Sequence, residues 1–305
     1  MSKRRGALAA GFATLALAVG ASTAAVAAPA PAAAKPGSLP ESCMATIGGT
    51  TTESYFYANK VSKWSPIILP KEGARYAEFV DDPEVEVVHY LAVTSAGKVF
   101  DSSMDFGLFG DDGILSMLSP RSAPAGNTIP GIVDLEVGSE AIDGMRRPSK
   151  TAYAITSDGR LHAIPMTITK GRVRLGTPVV LSAKGLSGLR GIETLGRSWV
   201  NGKVNKHKFL AHTKDGRFVE LTVTRGAKKP TLSYKVISTG WQNVAAIARG
   251  DCYDEALEHI TVIVTVDSAK RVTAYLDPIW NDASLKGAKT IRLAPWKRGA
   301  VNTLF

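Results

Sequence analysis

Tyr153-Ala-Ile-Thr-Ser-Asp-Gly-Arg-Leu-His162 decides how the rest of this chain is read. Aliphatic and aromatic residues run up to Thr156, Asp158-Gly159 follows, and a second apolar run begins at Leu161. Asp-Gly supplies the positive φ angles that a tight hairpin turn demands, so the stretch predicts two antiparallel strands joined by a short turn. It recurs as Phe209-Leu-Ala-His-Thr-Lys-Asp-Gly-Arg-Phe218 and, with Ala-Gly at the turn, as Tyr90-Leu-Ala-Val-Thr-Ser-Ala-Gly-Lys-Val-Phe100. A fourth copy, Ile260 to Tyr275, keeps the strands but carries Asp267-Ser-Ala-Lys270 at the turn.

Gly97, Gly159 and Gly216 are 62 and 57 residues apart, and the fourth turn near Ala269 lies 53 further on. A period of that length, holding about four short strands per unit, is that of a propeller blade. Each unit opens with an apolar first strand: Gly131 to Val137, Leu189 to Leu195, Val244 to Ala248. A variable loop follows, then the hairpin, then an outer strand such as Val173 to Leu181 or Leu232 to Ile237. Residues Cys43 to Leu69 read as a blade without its first strand, and Gly299 to Phe305 matches the missing strand. The expectation is an all-β, five-bladed β-propeller over residues 43–305, closed by pairing of N- and C-terminal strands, which hides two sheet edges.

At these turns the chain resembles the tachylectins, five-bladed propeller lectins whose blades carry strands of the form Tyr-Ala-Val-Thr-x-Asp-Gly-x-Leu-Tyr. Tyr153 to Leu161 and Phe209 to Phe218 carry the match, Tyr90 to Phe100 more weakly, and Gly240-Trp241 fits the Gly-Trp that the family places before an inner strand. The resemblance implies a ring that binds amino-sugars between or at the edges of blades. The blades here are longer and have diverged from one another, which fits one or two sites, or a protein-binding face, better than a site in every blade.

Lys3, Arg4 and Arg5 precede an uncharged run to Ala34, with Ala25-Val26-Ala27 as a cleavage site. Residues 1–27 are therefore expected to be a secretory signal peptide and 28–42 a flexible Ala/Pro-rich segment, with the export route left open. The chain has 37 basic and 27 acidic residues; removing Lys3, Arg4 and Arg5 leaves 34 against 27. On an exported protein that excess serves solubility or favours polyanions such as teichoic acid or acidic glycans. The scattered cations argue against nucleic acid, and no second apolar run is long enough for membrane insertion. Cys43 and Cys252 are expected to form a disulfide, since both fall on one rim where neighbouring blades close the ring.

Chemistry is sparse. Asp134, Glu136 and Glu193 on first strands are the only acids placed to serve a glycosidase, and backbone or water binding near the axis is their commoner use. His89, His207 and His259 precede second strands in three blades, too far apart to share an ion, and read as strand-edge caps. Asp105, Asp111 and Asp112 lack regular calcium-ligand spacing. No Gly-x-Ser-x-Gly elbow occurs. The chain is accordingly expected to be no enzyme and to need no cofactor or metal.

Recognition is placed on the loops between first and second strands, which share one rim. They carry Asp81-Asp82, Arg146 and Arg147, Trp199 and Asn201, and Asp251 and Tyr253. A Trp face stacks on a sugar ring while Arg and Asn hold hydroxyls; the competing reading folds Trp199 back over its blade. Trp241 and Trp296 are expected to pack between blades, and Trp64 and Trp280 to lie on the circumference. The leading functional expectation is a secreted carbohydrate-binding, lectin-like propeller that recognises a cell-surface or cell-wall glycan, alone or as a targeting subunit of a larger secreted assembly. A docking scaffold for other secreted proteins is the alternative, and a glycoside hydrolase stands third.

Overall fold

A computed structural model describes residues 35–37, 39, 43–47, 53–57, 60–64, 76–82, 87–105, 121–126, 128–142, 145–169, 171–200, 203–225, 229–252, 260–277, 285, 288–293 and 295. Among them are strands and turns but no helix. Four antiparallel blade sheets follow one another along the chain. Before them come β1 (Lys35–Pro36), β2 (Cys43–Ile47), β3 (Glu53–Tyr57) and β4 (Lys60–Trp64). Blade 1 is β5 (Tyr76–Asp82), β6 (Val87–Val93), β7 (Val99–Asp105) and β8 (Arg121–Pro124). Blade 2 is β9 (Ile132–Ile142), β10 (Met145–Thr156), β11 (Leu161–Ile168), β12 (Val173–Leu175) and β13 (Val179–Leu181). Blade 3 is β14 (Leu189–Val200), β15 (Lys203–Thr213), β16 (Arg217–Thr224) and β17 (Thr231–Thr239). Blade 4 is β18 (Val244–Cys252), β19 (Thr261–Asp267), β20 (Val272–Asp277) and β21 (Lys289–Arg292).

The first strands β5, β9, β14 and β18 touch in succession, which makes the arrangement propeller-like. The second strands β10 and β15 are therefore sandwiched between two neighbouring blades. Leu91, Ala92 and Val93 are all buried, as are Val262, Ile263 and Val264, so both faces of β6 and β19 are apolar. A strand with one wet face would alternate instead, as the outer strand β17 does.

Alternation divides each blade's side chains between its two neighbours. Leu91 and Val93 of blade 1 meet Ala152 and Ala154 of blade 2. Tyr153 and Ile155 of blade 2 meet Phe209 and Ala211 of blade 3, and Leu210 and Phe218 of blade 3 meet Ile263 and Tyr275 of blade 4. Trp241 lies in this last seam as expected, stacked on Phe218 with ring centroids 4.3 Å apart and donating its Nε1–H to Ser238 Oγ at 2.6 Å.

The hairpin turns that set the repeat also join the blades. Gly97 O accepts from Ile129 N–H (2.9 Å), Gly131 O from Ser157 N–H (2.7 Å), and Gly159 O from Leu189 N–H (3.2 Å). Gly188 O accepts from Lys214 N–H (2.7 Å), Gly216 O from Trp241 N–H (2.9 Å), and Asn243 O from Ser268 N–H (2.8 Å). One hydrogen-bonded belt thus runs along a rim from turn to turn through all four blades. Gly159 has φ 76°, and a Cβ there would lie 2.5 Å from Gly188 Cα, so both conformation and the next blade exclude a side chain. The fourth turn keeps this geometry without glycine. Asp267 N–H donates to Arg271 O as Thr156 N–H does to Arg160 O, and Lys270 takes φ 61°. Asp267 Oδ1 holds the turn by accepting from Ala269 and Arg271 N–H groups at 2.9 and 2.8 Å.

Three expectations are corrected by the strand register. The stretch Val173 to Leu181 is two strands, β12 and β13, on the edge of β11. Gly176 turns aside to donate its N–H to Pro165 O, and Pro178 has no N–H to offer a ladder. His89 and His207 are not strand-edge caps: both are buried inside β6 and β15, and they face opposite neighbours, because His89 shares the parity of Leu91 and His207 that of Phe209. The supposed loops bearing Asp81-Asp82, Arg146, Arg147, Trp199 and Asp251 are strand, in β5, β10, β14 and β18.

β2 does not begin a separate sheet. It pairs with the far end of β18, Cys252 opposite Cys43, and the two cysteines are disulfide-bonded as expected. Residues 299–305, with which the ring is expected to close, lie outside the described residues, as do residues 1–27, expected to be a signal peptide, and His259, Asp111, Asp112, Trp280 and Trp296.

Candidate functional site

Two hairpins outgrow their blades. β10 pairs with β9 as far as Met145 opposite Ile142, but with β11 only over Thr151–Ile155. β15 pairs with β14 as far as Lys203 opposite Val200, but with β16 only from Lys206 onward. Residues 145–150 and 203–205 therefore stand in two-stranded ribbons on the rim opposite the turn belt. Arg146 lies opposite Ala141, and Arg147 opposite Glu140, on the ribbon of blade 2. Trp199 lies opposite Val204 on the ribbon of blade 3. The fold thus carries three of the expected binding residues on adjacent projections. Asp251, opposite Thr261, belongs to blade 4 and is apart from them; Asn201 and Tyr253 lie outside the described residues.

Between the ribbon bases the seam of blades 2 and 3 turns polar. Deep in it Tyr153 meets Phe209 edge-on, ring centroids 4.7 Å apart, with the His207 ring 5.4 Å from Tyr153. Nearer the axis, Glu136 is buried on β9 and accepts from Thr194 Oγ1 of blade 3 at 2.9 Å. Towards the ribbons, Arg225 Nη2 of blade 3 donates to Thr151 Oγ1 of blade 2 at 3.2 Å. Asn205 receives Arg225 N–H at its backbone oxygen (2.8 Å), while its buried Oδ1 has no donor among the described residues. The seam thus brings together a carboxylate, a guanidinium, threonine hydroxyls and an amide oxygen, the mixed donors and acceptors that hydroxyl-rich ligands engage.

The first-strand acids hold blades together. Asp134 Oδ2 accepts from Ile192 N–H of blade 3 at 2.7 Å and its Oδ1 from Leu135 N–H at 3.0 Å. Glu193 occupies in β14 the place of Glu136 in β9, since both lie opposite the residue three before the turn threonine. Among the described residues no three His, Cys, Asp or Glu side chains are grouped to hold a metal ion, and Asp105 is placed only as the last residue of β7.

His212 is wholly buried between blades 3 and 4. Burial first, and then the Arg190 charge, push its pKa from 6.5 down to about 3, with hydrogen bonding at the Val244 backbone opposing weakly. A histidine that folds neutral contributes its stability above the unfolded pKa and loses it as pH falls through 6.5 towards 3. Lowering the pH from 7 to 5 is expected to remove about 2 kcal/mol of stability through this group. Urea titrations of His212→Leu, compared with wild type at both pH values, should show that difference disappear.

No family model matches the chain, and no curated protein does. Solved structures match it at low identity and low TM-score. A periplasmic gluconolactonase from Pseudomonas aeruginosa is 10% identical with a TM-score of 0.40, over 83% of this chain and 97% of the other. A candidate 6-phosphogluconolactonase from Bacteroides uniformis is 12% identical with a TM-score of 0.38, over 85% and 84%, and one from Bacteroides fragilis is 11% identical with a TM-score of 0.33, over 82% and 81%. One expectation is corrected by these names. The sparse catalytic motifs led to the expectation of no enzyme; these neighbours are named as enzymes, and that expectation is withdrawn. Likeness this distant assigns no activity here either. The tachylectin resemblance gains nothing from these comparisons.

Proposed function

We propose that this chain is a secreted glycan-binding propeller whose recognition site is the polar seam between blades 2 and 3, walled by the two ribbons. The observation that supports it is the projection of β9–β10 and β14–β15 beyond their sheets on either side of that seam. Rigid ribbons hold recognition residues at lower entropic cost than free loops. In this reading Trp199 supplies a sugar-stacking face and Arg146 and Arg147 hold hydroxyl or acidic groups, with Arg225 and Thr151 as the floor. The tachylectin-like hairpins agree with a site between blades. The reading includes a fifth blade made of β2–β4 and residues 299–305, and an oxidising extracellular destination in which the Cys43–Cys252 bond persists.

A glycan-array screen of the mature protein tests it, with the bound sugars recovered and inspected for chemical change. Specific binding is expected, weakened at least about tenfold by Trp199→Ala, which corresponds to about 1.4 kcal/mol. Binding that survives both Trp199→Ala and Arg147→Ala moves the site off this seam, and an array without signal removes the glycan reading.

A further inference from the structure

The turn belt on the opposite rim has its own electrostatic character. Its carboxylates are already engaged. Thr156 Oγ1 donates to Asp158 at 2.6 Å and Arg160 Nε lies 3.2 Å from it; the Thr156 hydroxyl first, then Arg160, hold the Asp158 pKa below the usual carboxylate range. Asp215 is clasped in the same way by Thr213 and Arg217. Burial alone would raise its pKa, but those hydrogen bonds outweigh it and hold it low. Asp267 takes Arg271 Nε at 2.6 Å. Three acids and three arginines thus cancel, turn by turn.

The lysines of the same belt have no such partners. Lys98, Lys214 and Lys270 are exposed at the first, third and fourth turns, and no ion pair forms to them among the described residues. Lys184 is exposed beside the third turn, where Gly185 O accepts from Arg217 Nη1 at 3.0 Å. The belt is backbone-bonded throughout, so the backbone that carries these lysines is held in place from turn to turn. The turns between them hold Thr, Ser, Ala, Asp, Gly and Arg but no aromatic side chain, which leaves nothing for bases to stack on.

We propose that this rim is a second binding surface, for a linear polymer of repeating phosphate or carboxylate groups on the cell envelope. Each lysine neutralises one anionic group and releases its counterion, while the arginines stay committed to their aspartates. The surface is separate from the seam of blades 2 and 3, so that one rim can hold the protein to an envelope polymer while the other faces outward. It stands whether or not the ribbons bind a glycan.

Polyglycerol phosphate, polygalacturonate and duplex DNA are the probes, each titrated by fluorescence anisotropy at several salt concentrations against the intact mature protein. Two variants of equal net charge are compared. One carries Lys98→Glu, Lys184→Glu and Lys214→Glu on the belt. The other carries Lys206→Glu, Lys229→Glu and Lys235→Glu, all exposed and away from it. The belt variant is expected to bind the anionic polymers at least about tenfold more weakly and with a shallower salt dependence, and the control to lie near wild type. The first two probes distinguish a phosphate from a carboxylate polymer. Lys270→Gly adds an arm that cannot fail by misfolding, because it removes a charge where φ is already positive. Equal loss in both triple variants, tighter binding to DNA than to either polymer, or no binding by wild type overturns the proposal.

Discussion

Asp101→Ala is expected to destabilise the protein by about 3–5 kcal/mol, as the loss of an acceptor serving two buried donors. Asp101 lies on β7, buried where blade 1 meets blade 2. Its Oδ1 accepts from His89 Nδ1 at 2.7 Å, and its Oδ2 from the N–H of Val173, the first residue of β12, at 2.8 Å. Neither donor has water to turn to, since His89 and Val173 are completely buried. Truncation leaves both without a partner in a seam otherwise lined by Leu91, Val93, Ala152 and Met166. Asp101→Asn keeps the shape and one acceptor oxygen, and should cost about half as much. Urea denaturation checks this: the midpoint should fall at unchanged m-value, and amide exchange at Val173 should accelerate, since that N–H depends on blade 1. An unfolding free energy within about 1 kcal/mol of wild type would mean that the seam is held by apolar packing alone.

How much of this was legible in the sequence follows from how far each contact reaches along the chain. Thr156-Ser-Asp158-Gly159 announces its turn because the bonds that close it, Thr156 N–H to Arg160 O, Gly159 N–H to Thr156 O and Thr156 Oγ1 to Asp158, all lie within five residues. The fourth turn is legible only from its flanking strands, because Asp267 supplies with its side chain what Asp-Gly supplies at the other turns and Lys270 takes the positive φ. The ribbons were legible in principle. Asp143-Gly144 and Asn201-Gly202 are hairpin dipeptides set between β9 and β10 and between β14 and β15, yet the stretches around them read as loops since charged residues and a lone Trp break the apolar alternation. The seam itself was out of reach. Arg225 meeting Thr151, or Glu136 meeting Thr194, depends on how blades 2 and 3 rotate against each other, and no local pattern encodes that. Asp101 is the same case: a carboxylate flanked by Phe100 and Ser102 looks like a surface residue until blade 2 covers it.

Cys43→Ala with Cys252→Ala is expected to give the largest loss, about 5 kcal/mol by the loop-closure relation for the 209 residues between the two. For a domain of this size that corresponds to a drop in Tm of about 9 °C. Most of the effect belongs to the unfolded chain, which the bond shortens into a loop, so the folded blades should keep their circular dichroism at low temperature. A local effect is superimposed on it. Among the described residues β2 pairs with β18 through Ala45, Met44 and Cys43, opposite Gly250, Asp251 and Cys252, so the bond is expected to carry much of the attachment of β2–β4. Amide exchange should therefore separate the two contributions: β2 and β3 lose protection first in the double variant, while β9–β11 and β14–β16 keep theirs until global unfolding. Treatment of wild type with a reductant should reproduce the variant once Cys43 and Cys252 are exposed, and slowly before that, because both are buried. An unchanged Tm would show that β2–β4 is held by packing of Leu39, Cys43 and Ala45 against Val262 and Val264, and that the disulfide closes a loop the unfolded chain already keeps short.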